Sequence, residues 1–210
     1  MRDSAAFWDR VADRYARMPV RDPVGYRETL DHLRGYLEPD HRMLELGCGT
    51  GSTAVALAGD VAHITASDIS GAMLEKGREK AVAARIGNVD FVQADAVEAP
   101  RGPFDIVTAF NLLHLIEDRD AALRAIAERT KPGGLFISKT FCLPRRRGLV
   151  WLALYTVLPM LQAIGKAPYF ARLTQEELLA AIEGAGFATV ETRQASGRDP
   201  RLTIVARRNG

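Results

Sequence analysis

The stretch Met43-Leu44-Glu45-Leu46-Gly47-Cys48-Gly49-Thr50-Gly51 does most to limit what this chain can fold into. A short apolar strand runs into alternating glycines, and Ser52 to Ala58 then reads as a helix. Glycine adopts backbone angles that other residues avoid and lets a ligand come close against the main chain. Strand, glycine turn and helix in this order make the first βα unit of a nucleotide-binding α/β domain. The dinucleotide pattern G-x-G-x-x-G would put its third glycine at position 52, where Ser52 stands. Here the third glycine is Gly51, and an acidic Glu45 precedes the turn.

Before this unit, Phe7 to Met18 has helical spacing of Phe7, Trp8, Val11, Ala12, Tyr15 and Met18, and Val24 to Leu37 forms a second helix after Pro19 and Pro23. After it the pattern alternates. Strands are expected at His63–Ser67, Val89–Ala94, Phe104–Phe110 and Leu135–Thr140. Helices are expected at Gly71–Arg85, capped by Ser70, and at Asp120–Thr130, stopped by Lys131-Pro132-Gly133-Gly134. Such alternation implies a parallel sheet with helices on both faces. The tail departs from it: Thr174-Gln175-Glu176-Glu177 is a capping box opening a helix to Ala185. Two strands, Phe187–Arg193 and Leu202–Arg207, follow, joined through Gly197 to Pro200.

Composition excludes several classes. A net charge of +2 on 210 residues gives no whole-chain case for nucleic acid as a partner. The length fits one domain. Two distant cysteines, Cys48 and Cys142, give neither a disulfide framework nor metal-ligand spacing, which points to a reduced, cytoplasmic setting. The N-terminal residues form no signal-peptide block, and no apolar run reaches the ~20 residues that span a bilayer.

Asp68, at the end of the second strand about twenty residues past the turn, suits an adenosine cofactor, since a carboxylate can accept from both ribose hydroxyls. The competing reading is a helix cap, for which Ser70 is the alternative. The form Glu-Leu-Gly-Cys-Gly-Thr-Gly resembles the first motif of class I S-adenosylmethionine (SAM)-dependent methyltransferases. Within these it is similar to the small-molecule, ubiquinone/menaquinone-biosynthesis type. That resemblance implies a Rossmann-like seven-stranded, mostly parallel sheet with helices on both faces and an antiparallel last strand. It implies SAM as cofactor and S-adenosylhomocysteine (SAH) as product, with no metal. It assigns cofactor binding to Tyr15, Glu45, Gly47, Cys48, Gly49, Thr50, Gly51, Asp68, Ile69, Met73, Asp95, Ala96, Asn111 and Leu112. In that layout Glu45 lies near the methionine amine and Asp95-Ala96 meets the adenine, against a bland reading of Asp95 as a solvated loop residue. Asn111 offers its backbone to the methionine end, and Tyr15, in the element Asp9-x-x-Ala12-x-x-Tyr15, helps close the site. His114 faces the sulfonium as a candidate catalytic base, against the alternative of a packing histidine; an unperturbed imidazole, pKa about 6.5, supplies the neutral form a base needs.

The chain divides on this reading into N-terminal lid helices (1–40), a SAM-binding core (41–140), an inserted apolar cap (141–172) and closing elements (173–210), all in one domain. Leu149 to Ile164 is apolar on nearly every side and must be covered on more than one face. A lid over a hydrophobic pocket is the first reading, a homodimer interface the second, and a peripheral membrane contact through residues 145–164, with Arg145-Arg146-Arg147 on headgroups, the third. On the first, the acceptor is a small apolar or aromatic molecule bordered by Phe141, Trp151, Tyr155, Tyr169 and Phe170. The alternatives for function are a membrane-lipid methyltransferase and a non-catalytic SAM/SAH-binding subunit. An NAD-dependent oxidoreductase is disfavoured by Ser52.

Overall fold

The computed structural model describes residues 2–143, 157–162, 166–194 and 200–210. Two helices, α1 (Arg2–Arg17) and α2 (Pro23–Arg34), lead into β1 (Arg42–Leu46) and α3 (Ser52–Leu57). Then follow β2 (His63–Asp68), α4 (Gly71–Ala83), β3 (Val89–Gln93), β4 (Phe104–Phe110), α5 (Arg119–Arg129) and β5 (Thr130–Phe141). The chain closes with α6 (Gln175–Gly184), β6 (Phe187–Gln194) and β7 (Arg201–Arg208). The cap residues 144–156 and 163–165, with Arg145-Arg146-Arg147, Trp151 and Tyr155, lie outside the described residues, as does most of the link at Gly197 to Pro200.

The seven strands form one sheet in the order β3-β2-β1-β4-β5-β7-β6. β1 pairs in parallel with β2 and β4, β2 with β3, and β4 with β5, whereas β7 runs antiparallel to both β5 and β6. The chain moves outward from β1 to β3 and then returns to place β4 on the other side of β1. That reversal opens a crevice beyond the carboxyl ends of β1 and β4, the position at which open α/β sheets bind ligands.

The central strands are apolar through both faces because helices cover both. On one face Leu44, Leu46, Val107 and Phe136 pack with Leu123 and Ile126 of α5 and Leu178 and Ile182 of α6. On the other, Met43, Ile64, Ile106 and Ile137 meet Leu30 and Leu33 of α2, Ala54 and Leu57 of α3 and Leu74 of α4. The helix starts follow capping chemistry. Ser70 Oγ accepts from Met73 N, Asp118 Oδ1 from Ala121 N, and Thr174 and Glu177 close the expected capping box.

Three boundaries differ from the sequence reading. α1 begins at Arg2 rather than Phe7. α4 ends at Ala83 because Arg85 turns left-handed at φ 56°. Lys131 to Gly134 ends the helix as expected, but it is an excursion within β5 rather than a loop before it. Thr130 pairs with Phe104, and pairing resumes at Leu135 with Ile106. Gly133 sits at φ 76°, and a Cβ on Gly134 would lie 2.8 Å from the Asp105 carbonyl, so this bulge needs its glycines. Arg129 closes the same corner. Its buried guanidinium donates to the carbonyls of Val97, Ala99 and Ala125, and burial holds its pKa below the ordinary arginine value.

Candidate active site

The glycine turn leaves β1 with Gly47, Gly49 and Gly51 at φ 64°, 53° and 66°. It hangs on the end of β2: Cys48 N donates to Ser67 O at 2.9 Å and Gly49 N to Asp68 Oδ2 at 2.8 Å. Asp68 Oδ1 accepts from Ser70 N at 2.9 Å, so this carboxylate fixes the turn and the entry to α4 together. Burial raises the Asp68 pKa, and the Ser70 and Gly49 amides partly offset that. Both its oxygens already accept a backbone N–H, which leaves second lone pairs for a ligand hydroxyl. Ser70, not Asp68, caps α4.

Glu45 lies beneath the turn, 3 % exposed. Burial pushes its carboxyl up to about 8, the Ala54 amide works against that rise, and Asp68 adds to it. Its Oε2 has no hydrogen-bond partner. A buried carboxyl with a vacant oxygen is costly unless something cationic or donating comes to it. Cys48 is a buried neighbour, packed in the core, whose thiol is pushed well up by burial and then by Glu45 and Asp68, so it stays neutral. The three glycines differ in what surrounds them. A Cβ on Gly47 would lie 2.7 Å from Leu112 Cδ1 and one on Gly51 2.6 Å from Phe91 Cε1, whereas one on Gly49 would meet no atom within 4 Å. Leu112 therefore packs on the turn, and the Gly49 face is where a ligand can approach the main chain.

Two contacts were not legible from motifs. Lys80 of α4 reaches back to the turn, donating to Thr50 O (3.0 Å), Thr50 Oγ1 (2.7 Å) and Ser52 Oγ (2.8 Å). Its three N–H groups thus have three acceptors, and burial lowers its pKa. Lys80→Met should lower stability by about 1.5–3 kcal/mol, the usual worth of a charged hydrogen bond; a thermal midpoint unchanged from wild type would contradict this clamp. Asp9 of α1 is the second. Its Oδ1 accepts from Ser70 Oγ at 2.6 Å and Ala72 N at 3.1 Å, and Asp13 pairs with Lys76 at 3.1 Å. Asp9 opens the same Asp-x-x-Ala-x-x-Tyr element that singled out Tyr15, and it is Asp9 that ties α1 to the site rim. Tyr15 is 49 % exposed and stands edge-on to Trp8.

The other expected residues sit around this rim. Met73 is buried in the first turn of α4, and Ile69, half-buried, accepts from Gln93 Nε2 through its carbonyl. Asp95 Oδ1 accepts from Val97 N and Glu98 N, both at 2.8 Å, so it caps the turn after β3, and Ala96 packs against the core beside it. Asn111 adopts φ 54° and donates its N–H to Lys139 O at 2.7 Å. Just beyond Leu112, His114 is 7 % exposed, with ring centroids 4.9 Å from Phe170 and 5.9 Å from Phe141. Phe141 and Phe170 are 5.1 Å apart. Burial, with Arg201 nearby, pushes the His114 pKa down to about 4, and its Nδ1 has no partner. The His114 carbonyl accepts from Ala171 N at 2.7 Å, which ties the loop before α6 to this histidine.

A methyltransferase-domain family matches residues 43–134. The demethylmenaquinone methyltransferase of Clavibacter sepedonicus is 37 % identical over 172 residues, 72 % of this chain and 67 % of that protein. The chain belongs to the class I SAM-dependent methyltransferases. The ubiquinone/menaquinone biosynthesis C-methyltransferase of Vibrio parahaemolyticus is 38 % identical over 112 residues, 50 % of this chain but only 43 % of that protein's length. Among solved structures, magnesium protoporphyrin IX methyltransferase of Synechocystis with bound SAH superposes at TM-score 0.74, with 21 % identity and 98 % of both chains covered. The [4+2]-cyclase SpnF has the same score at 19 % identity, covering 92 % of this chain and 84 % of that one. These likenesses show a methyltransferase sheet; a cyclase on the same sheet shows that the fold does not choose the reaction.

Proposed function

We propose that the protein binds SAM on the Gly49 face of the turn and transfers its methyl group to a ring carbon of a small hydroxylated aromatic acceptor of the quinol class. The cofactor residues fit. The vacant, buried Glu45 carboxyl suits the methionine ammonium, and the free lone pairs of Asp68 suit the ribose hydroxyls. Asp95, Ala96 and Leu112 border the adenine, with Ile69 and Met73 as its apolar floor, while Asn111 offers its backbone to the methionine end. The names of the relatives support a quinone-type acceptor, since they are a demethylmenaquinone methyltransferase and a ubiquinone/menaquinone C-methyltransferase.

The observation that carries the acceptor class is the His114 niche: two phenyl rings packed against a buried imidazole whose Nδ1 has no hydrogen-bond partner. Edge and offset contacts of this kind hold an aromatic ring, and the nitrogen orients one polar substituent on it. When bound, SAM supplies a methyl carbon activated by the sulfonium. Transfer to a ring carbon would exchange the sulfur–methyl bond for a carbon–methyl bond, leave SAH, and release the ring proton to water. The protein's part is alignment, which can contribute ~7–11 kcal/mol. With a pKa of about 4, His114 is neutral at physiological pH and holds a proton in only about one molecule in a thousand at pH 7. We therefore assign it the orienting of the acceptor hydroxyl rather than storage of the departing proton.

Labelled methyl transfer from SAM to a panel of naphthoquinols, phenols and polar acceptors tests the reading. Stoichiometric SAH with a methylated quinol is expected. Failure to bind SAM, binding without turnover, or activity confined to polar acceptors would sink it. His114→Phe should lower kcat/KM for the quinol about 100-fold and leave the SAM Kd within twofold, because only the acceptor loses a hydrogen bond. A parallel loss of SAM binding would place His114 in the cofactor site instead.

A further inference from the structure

Ten large apolar side chains are exposed among the described residues, and four of them, Tyr15, Met18, Val20 and Val24, fall together where α1 ends and α2 begins. Scattered exposed apolar residues are ordinary, but a cluster marks a contact surface. The same corner is basic. Arg14, Arg17, Arg21 and Arg27 are all exposed, and none forms an ion pair among the described residues. By contrast Arg34 and Arg78, elsewhere on the surface, each meet a carboxylate. The one carboxylate between Arg14 and Arg27 is Asp22, and its Oδ1 is engaged as the α2 cap by Gly25 N.

The corner also lies at the rim that carries the site. α2 starts beside the glycine turn, with Tyr26 OH 3.4 Å from Thr53 Oγ1, and Lys139 Nζ, near the carboxyl end of β5, donates to Thr29 Oγ1 at 2.8 Å. We propose that residues 14–27 form a docking surface for an anionic phospholipid bilayer, which turns the site's rim toward the membrane. Apolar side chains enter the headgroup boundary while the arginine heads stay at the lipid phosphates, the usual division for an interfacial segment. No helix of the described residues is long and apolar enough to cross a membrane, so the contact is peripheral. A second copy of the chain fits the corner poorly. In a two-fold contact this arginine-rich patch would meet the same patch of the second copy, and like charges across an interface repel. Nucleic acid would satisfy the arginines but leave Met18, Val20 and Val24 without a partner.

Sedimentation of the purified full chain with phosphatidylcholine vesicles, and with vesicles containing 30 % phosphatidylglycerol, tests this. We expect binding to the anionic vesicles alone, weakened by 0.5 M salt. An R17Q/R21Q/R27Q variant should lower the anionic-vesicle affinity by tenfold or more, since each basic residue at such a surface is worth about fivefold. An M18S/V20S/V24S variant should lower it by a similar factor and stay salt-sensitive. Both keep residues 145–164 intact, and both should retain the wild-type unfolding midpoint and SAM affinity. Absence of binding to anionic vesicles, or equal binding by wild type and both variants, overturns the proposal. So does a dimer mass in light scattering that the variants abolish, or tight binding of an oligonucleotide that they lose. The readout needs no turnover, so its failure leaves methyl transfer to a water-soluble acceptor untouched, and failure of the acceptor reading leaves the vesicle result standing.

Discussion

Gly51→Ala is expected to lower the stability of the protein by about 2–5 kcal/mol, while Gly49→Ala leaves it folded and weakens its SAM binding. Both glycines are left-handed, at φ 66° and 53°, so an alanine costs about 1–2 kcal/mol of backbone strain at either. They differ in what a methyl group would strike. At Gly51 it would come within 2.6 Å of Phe91 Cε1 and 3.0 Å of Gly77 Cα. Phe91 cannot retreat toward α4, because the Cβ position of Gly77 is already 2.4 Å from the same ring carbon. One phenyl ring thus fills a gap that two glycines on different elements leave for it, and overpacking there adds about 1–3 kcal/mol. Against a total stability of ~5–15 kcal/mol that is a large share. At Gly49 no atom lies within 4 Å, so only the strain remains, and the methyl group projects from the face on which we place the cofactor. Thermal unfolding and titration calorimetry separate the two. Gly49→Ala should weaken SAM at least 30-fold with a midpoint shift of a few degrees. A variant that binds SAM like wild type would remove the turn from the site.

What the sequence revealed of this architecture follows from how local each cause is. β4 occupies Phe104–Phe110 as the apolar run implies, and Ser70 and Thr174 cap the helices they precede, because a cap needs only three residues of context. The antiparallel end of the sheet was legible through a resemblance rather than through spacing. The stop at Lys131 to Gly134 was recognised but its use was not: whether glycines end a strand or bulge it depends on the partner strand, here Phe104 and Asp105. Lys80 on Thr50 and Asp9 on Ser70 had no chance of being read, since a lone lysine or aspartate on a helix carries no period that names a distant acceptor. The same holds for electrostatics. His114 looks like an ordinary imidazole in Asn111-Leu112-Leu113-His114; it takes distant parts of the chain, Phe141 and Phe170 against the ring and Arg201 nearby, to bury it and bring its pKa to about 4.

Since related sheets carry both methyl transfer and cyclisation, the motif residues explain how a cofactor is held, and the side chains above the sheet must explain what is done with it. On the function proposed above those would be His114, Phe141 and Phe170, and none of them belongs to the glycine motif. The division has a practical use. Substitutions at the niche should alter which acceptor is taken without moving SAM affinity, and substitutions at the turn should do the reverse.

Cofactor binding at pH 7 is expected to release close to one proton, and the proton comes from Glu45. With its carboxyl at about 8, Glu45 is about nine-tenths protonated at pH 7 in the free protein. The methionine ammonium favours the ionised form, so SAM takes the carboxylate and the proton leaves. The SAM Kd should therefore fall nearly tenfold per pH unit from pH 5.5 to 7.5 and level off above 8. The free protein should show the opposite trend in stability. An unfolded glutamate titrates near 4.3, so between about pH 4.5 and 8 the native state holds a proton that the unfolded chain has lost, and stability declines as pH rises through that window. Integrated to pH 8, the decline is about 5 kcal/mol, on the order of a whole domain's margin. Asp68, also raised by burial, acts with the same sign, so the comparison must be with Glu45→Gln rather than with a flat line. That variant should match wild type in stability near pH 4, exceed it by several kcal/mol at pH 8, and bind SAM at least 30-fold more weakly with no proton release. Calorimetry in two buffers of different ionisation enthalpy measures the proton count directly. Equal heats in both buffers for the wild-type protein would mean that Glu45 does not meet the ammonium, and the assignment of the methionine end of the site would have to move.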